Sequence, residues 1–254
     1  MADEQFDALG ESGPDGWQEI ERLRRGTSFI AITPRRVLNP PSATGMKFWS
    51  LNPYIGCEFG CSYCYARDTH RWTVERAADR RDAAPAAHDA AAMPPDESFE
   101  RRILVKRGAA EKLLRTLHPD RLRGASLMIG TATDPYQPAE RRFGVTRSLL
   151  EALLGFRELR LGIITKSPLI VRDAGLLVRL TEQHDVSISI SIASVDAPLL
   201  RRLEPRTPTP AARLRALRRL AGAGLRCSAL IAPILPGITD GRSALRAVVR
   251  AAHD

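Results

Sequence analysis

Residues 52–67 read NPYIGCEFGCSYCYAR and follow an apolar, strand-like run. They place Cys57, Cys61 and Cys64 at Cys–x3–Cys–x2–Cys spacing. Three thiolates this close can each bind a separate iron of one cubane, which leaves the fourth iron without a protein ligand. An open iron suits a redox enzyme whose substrate must coordinate the cluster directly. Gly56 and Gly60 ease the tight backbone path around such a group. Two blander readings stand beside this one. A structural zinc site would want a fourth Cys or His, for which His70 is the nearest candidate, and three unrelated buried thiols would be inert.

Outward from this motif, short apolar runs alternate with helical segments. Candidate strands cover 48–54, 103–106, 126–131, 159–165, 186–192 and 227–232, read as parallel strands covered on both faces. Thr146 is placed to cap SLLEALLGF, and Ser167 and Thr209 each precede a proline, an N-cap before a pre-organised first helical residue. In the helix after Pro210, Leu214, Leu217 and Leu220 share one face, with Gly222 and Gly224 as its stop. Strand–helix alternation implies an α/β fold with a parallel sheet and right-handed crossovers.

Residues 1–45 are expected to form a partly disordered N-terminal extension with one short helix over 17–25, and residues 46–254 the core. Within the core, the Ala/Asp/Arg/Pro tract 76–98 has no apolar period and too little apolar bulk to offset its ordering entropy, so it reads as a mobile insertion. The chain stops inside what reads as the helix after the last strand, which leaves a truncated, non-catalytic protein as an alternative.

The 254 residues are 44% hydrophobic, ordinary for a globular chain. No run approaches a bilayer span, and the acidic, polar start lacks the features of a secretory signal, so cytoplasm is the default. The net charge of +9 invites a nucleic-acid partner, but Arg is spread along the chain together with abundant Ala, and dispersed charge is weak support. Cys227 stands alone, and the five histidines show no paired metal spacing.

Cys57, Cys61 and Cys64, with aromatic Tyr63 before the third cysteine, resemble the defining motif of the radical S-adenosylmethionine (SAM) superfamily. TATDPYQPAE (131–140), ITKSPLIVRD (164–173), SISI (189–192), LEPRTPTPAARL (203–214) and APILPGITD (232–240) are similar to its spore photoproduct lyase-like, DNA repair photolyase-like branch. The resemblance implies a partial (β/α)6 barrel, a [4Fe–4S] cluster and SAM as cofactors, and an electron donor such as flavodoxin or ferredoxin. It also implies a lyase-like radical reaction, with a nucleic-acid lesion or modified nucleotide as the leading substrate. Carried over residue by residue, it puts Tyr63, Thr133, Asp134, Lys166, Ser189, Ser191, Arg206 and Ala232 around SAM, and Tyr65 in a catalytic radical relay. Lys166, the only Lys beyond residue 112, would approach the SAM carboxylate. The branch's lyases keep a hydrogen-donating Cys near the stretch corresponding to 130–134; this chain has Gly130, Thr131, Ala132, Thr133 and Asp134 there, and no thiol.

Overall fold

The computed structural model describes residues 17–253. Ten strands follow one another among them: β1 (Gln18–Arg22), β2 (Ser28–Ile32), β3 (Leu38–Asn39), β4 (Trp49–Leu51), β5 (Tyr54–Ile55), β6 (Arg102–Lys106), β7 (Ser126–Ile129), β8 (Arg160–Thr165), β9 (Asp185–Ser191) and β10 (Cys227–Leu230). The longer helices are α1 (Ala66–Ala78), α2 (Pro85–Ala92), α3 (Pro95–Arg101), α4 (Ala109–Thr116), α5 (Val145–Leu153), α6 (Ala174–Thr181), α7 (Ala197–Leu203), α8 (Pro210–Gly222) and α9 (Arg242–His253).

The main sheet has the order β10-β9-β8-β7-β4-β3. Its strands β4, β7, β8, β9 and β10 are parallel, and β3 lies antiparallel on the β4 edge. This is a partial α/β barrel. Its outer face is apolar: Leu127, Ile129, Leu161, Ile163, Ile188 and Ile190 pack with Leu149 and Leu153 of α5, Leu177 and Leu180 of α6, and Leu217 and Leu220 of α8. Each such side chain contributes about 1.5–3 kcal/mol relative to exposure. The inner face is different. The register row Ser50–Met128–Gly162–Ser187 and the row Ile164–Ser189–Ser228 mix small or polar residues with the apolar Met128 and Ile164. The strands are therefore not covered on both faces as expected: β9 alternates, with Val186, Ile188 and Ile190 outward and Ser187, Ser189 and Ser191 on the concave side.

One expected strand is diverted. β6 leaves the parallel barrel and forms a second sheet of order β1-β2-β6-β5, parallel to β2 and antiparallel to β5. The short helix expected over 17–25 is instead β1, paired antiparallel with β2, so the described part of the N-terminal extension is sheet. The disorder expected for residues 1–16 lies outside the described residues. Thr146 is not an N-cap. Helix α5 starts at Val145 after Gly144, and the Thr146 hydroxyl donates to the Pro135 carbonyl. Thr209 does cap α8, accepting from the Ala212 amide at 3.3 Å, and Ser167 caps a 3-10 turn.

The tract 76–98, expected as a mobile insertion, forms the end of α1, then α2 and the start of α3. Ala87 and Ala90 are buried with Ile30, Ile32, Ile55 and Leu104 against the second sheet. The Ser98 hydroxyl donates to the Ala90 carbonyl at 2.8 Å, and Asp89 pairs with Arg102 at 2.7 Å. Alanine supplies little bulk, but it lets a helix approach a sheet closely, and composition alone does not register that. Ala90→Glu is expected to lower stability by several kcal/mol by burying an unpaired carboxylate, roughly the 3–5 kcal/mol of a broken buried pair, whereas Ala91→Glu on the exposed side should stay within about 0.5 kcal/mol. Equal urea midpoints for the two variants would show that the tract does not pack.

Candidate metal centre

Two backbone bonds anchor the cysteine loop to neighbouring elements: the Cys57 amide donates to the Phe99 carbonyl and the Ser62 amide to the Leu203 carbonyl, each at 2.9 Å. Gly56 has φ of +87°, and a Cβ there would meet the Phe99 carbonyl at 2.8 Å, so only glycine fits this approach. Beneath the loop, the Gly56 carbonyl accepts from Thr133 Oγ1 at 2.6 Å and Gln137 Nε2 at 3.0 Å. Gln137 also accepts from the Glu58 amide at 3.0 Å, and the Glu58 carboxylate accepts from the Ala139 amide at 2.7 Å. The segment 131–140 is thus a clamp under the cysteines.

Asp134 belongs to the same clamp. It is partly buried and accepts from Thr165 Oγ1 at 2.6 Å and the Lys166 amide at 2.7 Å, fastening the end of β7 to the end of β8. Burial pushes its carboxyl up, opposed by these hydrogen bonds. Asn52, unassigned by sequence reasoning, does similar work at the end of β4. It donates to Ser50 Oγ at 3.0 Å and accepts from the Ala132 amide at 2.9 Å.

A buried ion pair braces the other side. Glu204 and Arg213 have fully buried side chains and face each other. Arg213 also donates to the Ser191 carbonyl at 2.9 Å and Thr207 Oγ1 at 2.6 Å, and Tyr63 donates its phenol to Glu204. Burial opposes the Glu204 charge, but Arg213 and Lys166 outweigh it and hold the carboxyl below its usual range. Arg213 was legible in principle: it sits on the buried leucine face of α8, where a guanidinium requires a partner.

The predicted cofactor residues divide into two groups. Lys166 is half-buried with Nζ 5.6 Å from the centre of the Tyr63 ring, at the cysteine loop. The Ser191 hydroxyl donates to the Ala232 carbonyl at 3.0 Å, and Ser189 meets Ser228 at 3.1 Å across β9 and β10, both pairs on the concave side. Tyr65 is 68% exposed and donates to the Thr131 carbonyl. Arg206 lies outside the loop instead, half-exposed, bonded to the Glu58 carbonyl and paired with Glu100. Cys227 begins β10, at the opposite end of the strands from the cysteine loop.

Cys57 and Cys61 are buried and Cys64 partly so, all three as free thiols in one packed cluster with Phe59, Ala66 and Phe99. Among the described residues, no three His, Cys, Asp or Glu side chains stand ready as a metal cage. Burial pushes all three thiols up, Cys61 to about 12, so metal binding must take up the cost of their ionisation. His70 is not grouped with them: its Nε2 is engaged with the Arg102 carbonyl at 2.9 Å, its ring packs edge-on against Phe99, and its Nδ1 is buried with no hydrogen-bond partner. Three thiols on a glycine-shaped loop, with no fourth donor grouped with them among the described residues, fit a three-thiolate cluster better than a four-ligand zinc site.

The Radical SAM superfamily model matches residues 51–246, a span that runs from this loop into the first turn of the last helix. The chain belongs to the radical SAM superfamily. Radical SAM proteins generally bind a [4Fe–4S] cluster and SAM. An uncharacterized protein of Mycobacterium bovis is 33% identical over 217 residues, covering 85% of this chain and 58% of its own length. One from Methanocaldococcus jannaschii is 26% identical over 212 residues, covering 84% of this chain and 70% of its own. This chain therefore spans little more than half of the mycobacterial relative. Spore photoproduct lyase complexed with dinucleoside spore photoproduct superposes with a TM-score of 0.58 at 18% identity, over 88% of this chain and 57% of that one. That likeness establishes the fold. No helix among the described residues is long and apolar enough to cross a membrane.

His70 also sets a pH dependence. Burial lowers it from 6.5 to about 4. The native state keeps it neutral while the unfolded chain takes up a proton, so stability is lost as pH falls from about 6.5 towards 4, by up to about 3 kcal/mol. His70→Gln is expected to lose less over that window, measured as denaturant midpoints across pH. Parallel profiles for the two proteins would exclude His70 as the source.

Proposed function

We propose that this chain is a radical SAM enzyme that cleaves SAM reductively and starts a reaction by hydrogen abstraction on a substrate held at the barrel mouth. The observation that carries it is three free thiols on one braced loop beside Lys166, at the strand ends of a partial barrel whose concave face carries Ser187, Ser189 and Ser191. When bound, the cluster and SAM supply a one-electron reductive cleavage that gives methionine and a 5′-deoxyadenosyl radical.

Cys57, Cys61 and Cys64 would hold the cluster. Lys166 would pair with the SAM carboxylate, and its ammonium over the Tyr63 ring would fix its direction. Ser189, Ser191 and the Ala232 backbone would line the nucleoside side. Thr133 and Asp134 serve the site from beneath, as loop braces whose polar atoms are already committed, and Arg206 would close the outer flank. Tyr65, exposed at the mouth, is the candidate relay to substrate. The substrate we favour is a nucleic-acid lesion or modified nucleotide, supported by the fold shared with spore photoproduct lyase. The electron donor would be a flavodoxin or ferredoxin. Because 130–134 carries no thiol, the hydrogen-return step would differ from thymine-dimer reversal.

Anaerobic reconstitution tests the cluster. Wild type is expected to hold about four irons per chain, Cys61→Ala to lose most of them, and Cys227→Ala to keep them. Loss of iron in Cys227→Ala would refute the open-iron assignment. With SAM and dithionite, 5′-deoxyadenosine should form, and its absence from a fully loaded protein would favour a non-catalytic role. Lys166→Ala should weaken SAM binding in calorimetry while iron content is unchanged; an unaltered affinity would remove Lys166 from the site.

A further inference from the structure

Arginine is spread along this chain, but net charge is not. Residues 1–204 hold 29 Lys and Arg against 27 Asp and Glu, a net of +2, while residues 205–254 hold 9 against 2 and supply +7 of the total +9. Asp240 is the only carboxylate between 205 and 253. Three of the arginines are committed: Arg206 to Glu100, Arg213 to Glu204, and Arg226 to Asp185 at 2.7 Å. The other six are exposed, Arg215, Arg218 and Arg219 on α8 and Arg242, Arg246 and Arg250 on α9, and none makes an ion pair among the described residues.

The α9 arginines recur every fourth residue, about 6 Å apart along the helix, and with Ser243 and Ala247 line a surface cavity of about 440 Å³. Helix stability does not explain this row. Like charges at i,i+4 are destabilising. Arg242 also stands in a first turn with no acidic residue, where the helix dipole disfavours a cation. The helix α9 packs against α8 and begins after the loop that leaves the C-terminal end of β10. Arg242 is thus on the side of the barrel that carries the cysteine loop, and the row runs outward from it. Beside the guanidinium groups lie Ser243, Ala247 and the exposed Val249, a single larger apolar side chain and too little apolar surface for the core of a protein interface.

We propose that α9, extended by the arginines of α8, is a docking surface for the phosphodiester backbone of a nucleic acid, which it leads to the barrel mouth. The proposal rests on the nucleic-acid reading of the substrate. Phosphates would replace the missing carboxylates as partners, with no selection of sequence.

Binding of a short labelled DNA duplex, and of single-stranded DNA and RNA of the same sequence, would be followed by anisotropy with the anaerobically reconstituted full chain across a salt series. The variant Arg242→Gln/Arg246→Gln/Arg250→Gln is expected to bind about tenfold or more weakly, with a salt slope shallower by about 2–3 for the duplex. The Lys counterparts should retain binding. Arg107→Gln/Arg115→Gln/Arg121→Gln, which removes as much exposed charge elsewhere, should change binding little. Which probe binds most tightly identifies the nucleic acid. Equal weakening by both Gln triples, no measurable binding of any probe, or equally effective displacement by polyglutamate at matched charge would each overturn the proposal. Iron content and 5′-deoxyadenosine formation are read on the same preparations. A failed radical reading would appear there, while the binding measurement stands by itself.

Discussion

The Gly56 carbonyl is where the cysteine loop is joined to the rest of the barrel. It accepts from Thr133 and Gln137 at once, on a residue whose positive φ turns it down into the clamp. Around it Asp134 is committed to β8, Asn52 to the loop after β7, and Glu58 to the amide of Ala139. In a buried setting each unmade bond would cost about 1–3 kcal/mol, so the network holds together as a unit or fails as one. Its effect is to present three thiols on a loop that cannot drift relative to the strand ends.

The opposite brace, Glu204 with Arg213, works differently. A buried ion pair is weak support for stability in itself, because desolvation offsets much of its attraction. Its hydrogen bonds reach outward, however, to Tyr63 of the cysteine motif and to the backbone of β9. The pair therefore relates the cysteine loop to the strand that carries Ser189 and Ser191. Lys166 stands between these braces, facing Tyr63. The polar scaffolding adjoins a concave face of mixed small, polar and apolar residues, while the main apolar core packs on the outer face and a second one against the second sheet.

Much of this was legible in the residues. The cysteine spacing located the loop, the apolar runs located five of the parallel strands, and Thr209–Pro210 located the start of α8. The errors have physical causes. Thr133 and Asp134, expected at the cofactor, lie beneath the cysteine loop, and their hydrogen-bonding capacity goes to Gly56 and to β8, across 77 and 32 residues of sequence. The tract 76–98 looked too poor in apolar bulk to order, yet alanine is what allows α2 to lie close against the second sheet. Dispersed arginine masked concentrated net charge, because the acidic residues stop near Glu204 and the basic ones do not.

The sequence by itself determined that three thiols fall within eight residues on one loop, since that spacing needs no long-range contact. It also determined the order of the parallel α/β units, because local apolar runs and caps encode them. Tertiary structure alone decided that Ile103 and its neighbours leave the barrel for a second sheet, and that Arg206 pairs with Glu100 on the outer side of the cysteine loop. It also decided that Arg213, in the middle of a leucine face, reaches Glu204 instead of solvent. The reason is common to all three: each depends on which distant partner satisfies a backbone edge or a buried charge, and that choice is made only when the chain has closed.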